Sequence, residues 1–213
     1  MADMLMRAPR ESGSWTWMLD DMPGPELEFA LTTAARMSVV LAKHELLELN
    51  SVEWHWSHIG REGAAGHSRL AVHASSLADP ALPDRIRAVH PQARIGSFSA
   101  LGTGTWFDAD GARHKEYRLV ELLLVPDETD LWVELSVHHD VWGRCSFRGE
   151  PQPIIHANNA PRLAAALREL EQVLGAAAEP GEPTYYGRAV GHGLGDPDII
   201  DGLGPDVTHA TRG

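Results

Sequence analysis

The segment from Glu116 to His139 constrains this chain more than any other. It reads EYRLVELLLV, then a turn from Pro126 to Asp130, then LWVELSVHH. In the second run Leu131, Val133, Leu135 and Val137 fall on one face and Trp132, Glu134, Ser136 and His138 on the other. A period of two with one apolar face describes a strand in a sheet covered on one side only. Upstream, residues 95 to 108 form a broken strand pattern reaching Trp106 and Phe107, and Asp108-Ala109-Asp110-Gly111 supplies turn residues, with Gly tolerating positive φ. Strands joined by turns this short pair antiparallel, without a helical crossover. The expected core element is therefore a β-meander.

Around it, 213 residues accommodate one globular domain with irregular ends. Residues 1–25, with Trp15, Trp17, Pro23 and Pro25, show neither period and read as an N-terminal arm whose tryptophans dock on the body. Leu27, Leu31, Ala34, Val39 and Ala42 predict a helix over 26–47, and SVEWHWSHI a strand with Glu53 and His55 opposite Val52, Trp54 and Trp56. Gly and Ala make 60–69 a loop, and Pro80 and Pro83 open a short helix. Asn158 or Asn159 reads as the N-cap of a helix with Pro161 in its first turn, a stripe of Leu163, Leu167, Leu170 and Leu174, and Gly175 as its stop. The expected fold class is α+β: an antiparallel sheet of about four to six strands packed by two main helices, with 26–178 as the single domain. Residues 179–213, rich in Gly, Pro and Asp, read as an irregular tail. A helix-grip barrel is the competing architecture and requires a cavity between helix and sheet.

Charge and composition exclude several functions. Lys plus Arg number 18 against 30 Asp plus Glu, a net charge of -12 that repels nucleic acid and anionic lipid alike. No apolar run reaches membrane-spanning length, and MADMLMRAPRESGSW lacks a signal core, so a cytoplasmic protein is expected. The single cysteine, Cys145, forms no internal disulfide or multi-thiolate zinc site, and reads as a small buried hydrophobe. His44-Glu45-Leu46-Leu47-Glu48 lacks the second histidine of a zinc-protease helix. Gly102-Thr103-Gly104 lacks the third glycine of a dinucleotide loop, and neither G-x-S-x-G nor a Walker loop occurs. His138-His139-Asp140 misses the spacing of the double-histidine acyl-transfer motif. No cofactor and no metal are expected.

Two constellations remain. Strand alternation puts Glu53 with His55, and Glu134 with His138 and, if the strand continues, Asp140. Adjacent pairing of those strands would gather an acid/base set. The other is a surface: among seven tryptophans Trp132 alternates out of phase with Leu131 and Val133 and shares its face with Glu134, an aromatic and acidic binding face continued by His138 and Asp140.

A third indication comes from likeness. Asp140-Val141-Trp142, Gly149-Glu150-Pro151-Gln152-Pro153, Asn159-Ala160-Pro161-Arg162-Leu163 opening a Leu-rich helix, and Pro183-Thr184-Tyr185-Tyr186-Gly187 occur in that order. In this order of features the chain resembles small actinobacterial immunity proteins of polymorphic toxin systems, over about a quarter of its length. The resemblance implies a cytosolic antitoxin that occludes a toxin's active site and has no catalytic residues of its own. The function expected is thus a non-enzymatic, acidic, immunity-type inhibitor with a basic protein partner. The alternative is a small enzyme or ligand-binding helix-grip protein using His55, His138, Asp140 and Glu53.

Overall fold

The computed structural model describes residues 5–20, 26–58, 64–127 and 129–211. Parts of the expected arm (1–4 and 21–25), of the expected loop (60–63) and of the expected tail (212–213) lie outside the described residues. The chain runs β1 (Gly13–Leu19), α1 (Glu26–Lys43), β2 (Glu48–His58), β3 (Ala64–Ala71), α2 (Leu82–Arg87), β4 (Ala93–Phe107), β5 (Arg113–Tyr117), β6 (Val120–Pro126), β7 (Leu131–Val137), α3 (Pro153–Leu174), β8 (Glu179–Pro180), β9 (Ala189–Val190), β10 (Gly193–Leu194) and α4 (Thr208–Thr211). Eight strands form one antiparallel sheet in the order β3-β2-β4-β6-β7-β1-β8, with β5 beside the far end of β4. The protein is α+β with an antiparallel sheet.

The meander is built as its turn chemistry dictates. Between β4 and β5, Asp108 Oδ1 accepts the N–H groups of Asp110 (3.0 Å) and Ala112 (2.8 Å), while Gly111 takes φ +77°. β5 and β6 are one return path broken at Arg118, whose φ is +57°. The N–H of Asp127 bonds the carbonyl of Asp130 at 2.8 Å and closes the turn into β7. One face of the sheet is packed by α1, through Leu27, Leu31, Ala34, Met37 and Leu41, and by α3, through Leu163, Leu167 and Leu170. Six of the seven tryptophans lie in this core; Trp132 is the exception.

Several expectations are corrected. The segment expected as an irregular arm supplies β1, which pairs with β7 in register from Gly13↔Val137 to Leu19↔Leu131. Its Trp15 and Trp17 do pack on the body, with zero exposure, but as inward residues of a strand. The expected loop over 60–69 contains the start of β3. Helix α1 stops at Lys43, short of 47, because Glu45 adopts φ +57° and the N–H of Leu46 reaches back to Leu41. The strand expected to be broken near Gly102 is continuous for 15 residues. Gly102 and Gly104 are there because a Cβ would collide with the carbonyls of Glu48 and Leu46, and the irregularity falls on β2 between Leu49 and Ser51. Cys145 is only partly buried, in a loop. The tail carries short pairings, with β8 extending the main sheet beside β1.

Helix α3 begins at Pro153, nearly two turns before the expected cap, which leaves Asn159 and Pro161 inside it. The reason is visible on β4. This strand outruns β2, whose pairing ends at Glu48↔Thr103, so the backbone from Thr105 to Phe107 has no strand on that side. The carbonyl of Glu45 accepts the Thr105 N–H at 2.8 Å, and side chains of α3 do the rest. Asn159 Oδ1 accepts the Phe107 N–H at 2.9 Å, and Asn159 Nδ2 donates to the Phe107 carbonyl at 2.7 Å. Arg162 donates to the carbonyls of Thr105 and His44, both at 2.8 Å, and lies over the Phe107 ring. An unpaired strand edge is thus satisfied by a helix. Among the described residues no helix is long and apolar enough to cross a membrane.

Two substitutions test this packing. Leu167→Ala or Leu170→Ala should cost about 2 to 5 kcal/mol in denaturant melts, through a cavity under the sheet. Asn159→Leu, similar in volume, should cost about 2 kcal/mol or more, because it leaves buried backbone groups of Phe107 without partners.

Candidate functional site

The two helices cover one face of the sheet, which leaves the outward residues of the strands as the place to look for chemistry. Following the register across the sheet, Arg69, Glu53, Ser99, Leu123, Glu134 and Thr16 form one row on this face. A second row carries His67, His55 and Ser97, and Trp132 lies between Val125 and Met18. Glu53 and His55 therefore share a face with Glu134, but β4 and β6 lie between their strands. With strands about 4.8 Å apart, β2 and β7 are separated by roughly 14 Å. The acid/base set expected from adjacent pairing is not assembled. His55 is exposed, with Nδ1 3.2 Å from Ser97 Oγ and its ring beside His67, and Glu53 pairs with Arg69 at 3.4 Å.

Asp140 also departs from the expected face. β7 ends at Val137, and Asp140–Trp142 turn into a short 3-10 segment that buries the Asp140 side chain. Its Oδ1 accepts the Met6 N–H at 3.1 Å and its Oδ2 the Phe147 N–H at 3.3 Å. Burial nonetheless dominates, and raises its pKa to about 6. Next to it His139 is 1 % exposed; Glu116 is 3.8 Å from its Nε2, and among the described residues neither ring nitrogen has a hydrogen-bond partner. Burial, reinforced by Arg7 and His138, lowers its pKa to about 4.

What the outer face gathers at its centre is a set of carboxylates. Glu121 is opposite Ser136 on β7, a diagonal neighbour of Glu134. Burial would raise its pKa, but hydrogen bonds from Arg118 (2.5 Å) and Arg7 outweigh that and hold it below the usual carboxylate range. His138 approaches it at 3.7 Å; burial lowers the pKa of that imidazole against the pull of Glu121. Glu134 differs from Glu121. Half-buried, it has neither a hydrogen bond nor an ion pair among the described residues, and burial, then Glu11 and Glu121, raises its pKa. Trp132, two residues away on the same face, is only partly covered, and its β1 neighbour Met18 is 55 % exposed.

Of the expected residues, then, the fold keeps Trp132 and Glu134 as near neighbours on one face and places His138 past the end of the same strand, beside Glu121, while His55, Glu53 and Asp140 stand elsewhere. Glu121, Glu11, Arg7 and Arg118 were not foreseen. Glu121 is out of phase with the buried Val120, Leu122 and Leu124, a readable signal for the outer face, but only the register joins it to Glu134. Among the described residues no group of three or more His, Cys, Asp or Glu is arranged to hold a metal ion.

Asp140 and His139 act oppositely on acid stability. Asp140, with its folded pKa raised from 3.8 to about 6, favours the native state below pH 4 and loses that contribution as pH rises through 6. His139, with its pKa depressed from 6.5 to about 4, loses stability as pH falls from 6.5 towards 4. At 1.36 kcal/mol per unit, each shift is worth about 3 kcal/mol, so the two nearly cancel. Between pH 6.5 and 4, Asp140→Asn should therefore lose stability relative to the unmodified chain, and His139→Asn should gain it, in urea melts across that range.

No family model, curated protein or solved structure matches this chain, so its function is read from the geometry above.

Proposed function

We propose that this chain is a non-catalytic binding protein that captures a basic protein partner on the open face of its sheet, in the manner of an immunity-type inhibitor. The observation that supports this reading is Glu134: a half-buried carboxylate with no counter-charge among the described residues, beside two further glutamates and a partly exposed tryptophan. Leaving a carboxylate half-desolvated without a partner costs stability, and a Lys or Arg side chain arriving from another protein removes that cost. Trp132 offers an aromatic surface to the same side chain or to its apolar neighbours. The net charge of -12 draws a basic partner in from a distance. A cytoplasmic setting belongs to the same proposal, as does occlusion of a toxin's active site, which rests on the resemblance.

The enzyme alternative needed at least two of His55, His138 and Asp140 to converge on one concavity. His55 stands across the sheet, and Asp140 has turned away from His138's face.

The test is affinity capture from a lysate of the source organism with the unmodified chain and two variants. A specific partner should be retained at low salt and released as ionic strength rises. Trp132→Ala should speed dissociation and weaken binding by about 2 kcal/mol or more, and Glu134→Lys should also slow association. A partner that binds both variants and ignores salt would contradict the assignment of this face.

A further inference from the structure

Asp140, lost to the outer face, lines a cavity at the amino end of α3. The cavity measures about 430 Å³, and its walls include Leu5, Met6, Trp106, Val141 and Ile155. That volume lies within the range of small-molecule sites, which are mostly apolar with a few placed polar groups. Here the placed group belongs to Asp140, a residue only 5 % exposed. Its oxygens accept one backbone N–H each, from Met6 and Phe147, which leaves acceptor capacity on both. Two other charged side chains line the cavity, Arg148 and Glu150; both are exposed and they are opposite in sign. Arg148 acts on the Asp140 carboxyl, but burial outweighs it, so Asp140 is the only charged lining side chain that is buried.

The start of α3 does not redirect the site towards anions. Pro153 has no N–H to offer at the first helical position, and the side-chain amide of Gln152 is turned onto the carbonyls of Asp140 (2.6 Å) and Gly143 (3.1 Å). An anion entering deeply would also face the Asp140 carboxylate.

We propose that this cavity binds a small, mainly apolar molecule bearing one ammonium group, with the ammonium on the Asp140 carboxylate and the apolar body against Leu5, Trp106 and Ile155. This is a different surface from the outer sheet face, and holds whether or not that face captures a protein. A cation there supplies the counter-charge that burial denies this carboxyl, and keeps Asp140 ionised.

Titration calorimetry with three probes of similar shape tests it: 2-phenylethylamine, 2-phenylethanol and 3-phenylpropionate. The amine should bind at least about tenfold more tightly than the alcohol, as a charge-assisted hydrogen bond requires, and the carboxylate should bind most weakly. Asp140→Asn should erase the preference for amine over alcohol while leaving alcohol binding in place. The unmodified chain gives an independent readout: carbon-13 NMR of the Asp140 carboxyl should show its titration moved to lower pH by the amine and unmoved by the alcohol. Tighter binding of the carboxylate, no binding of any probe, or amine binding that leaves the Asp140 signal unchanged would each overturn the proposal.

Discussion

A strand longer than its neighbour must find hydrogen-bond partners for the excess, and in this protein that requirement sets the position of α3. Beyond Thr103, β4 has β5 on one side and no strand on the other. Buried N–H and C=O groups left there would each cost on the order of 1 to 3 kcal/mol. Asn159 and Arg162 remove that cost, and because an amide and a guanidinium engage particular backbone atoms, they also fix where the helix sits along the strand. Everything near the amino end of α3 inherits that placement, including the loop from Cys145 to Pro151 and the cavity beside Asp140. Apolar stripes slide easily over one another. Directed polar contacts do not.

The same polar contacts explain where reading the sequence succeeded and where it stopped. The alternation of Leu131, Val133, Leu135 and Val137, the Asp108 to Gly111 turn and the leucine stripe of α3 are local signals, and each became the expected element. Asn159 looks from sequence like a cap, because its role depends on Phe107, which only the fold brings near. Trp15 and Trp17 lie in a segment rich in charge and proline, and their strand is defined by its partner β7 and not by period. The candidate site was legible to the same extent. That Trp132 and Glu134 share an outward face follows from alternation alone, whereas the separation of His55 from His138 and the arrival of Glu121 beside Glu134 are matters of strand order. No single strand encodes strand order.

Electrostatically the molecule keeps its ionisable groups in contrasting settings. Glu121 is fully compensated by two arginines and contributes to stability as an ion. Glu134 has no cation partner among the described residues, Asp140 has only the outweighed influence of Arg148, and burial makes both hold their protons more tightly than usual. They occupy separate places, one on an open sheet face and one in a walled cavity, and the two proposals accordingly assign them different positive groups: a long flexible side chain in the first case, a compact ammonium in the second.

The position of β1 has a consequence for how this molecule is made. Gly13 pairs with Val137, so β1 leaves the ribosome long before the strand that receives it has been translated. Until β7 exists, Trp15 and Trp17 have no groove to enter, and once β7 has formed, its free edge stays open until β1 docks. Contacts this distant in sequence close slowly, since loop entropy must be overcome before they reward it. The nascent chain therefore carries two of its largest apolar side chains without their final packing through most of synthesis.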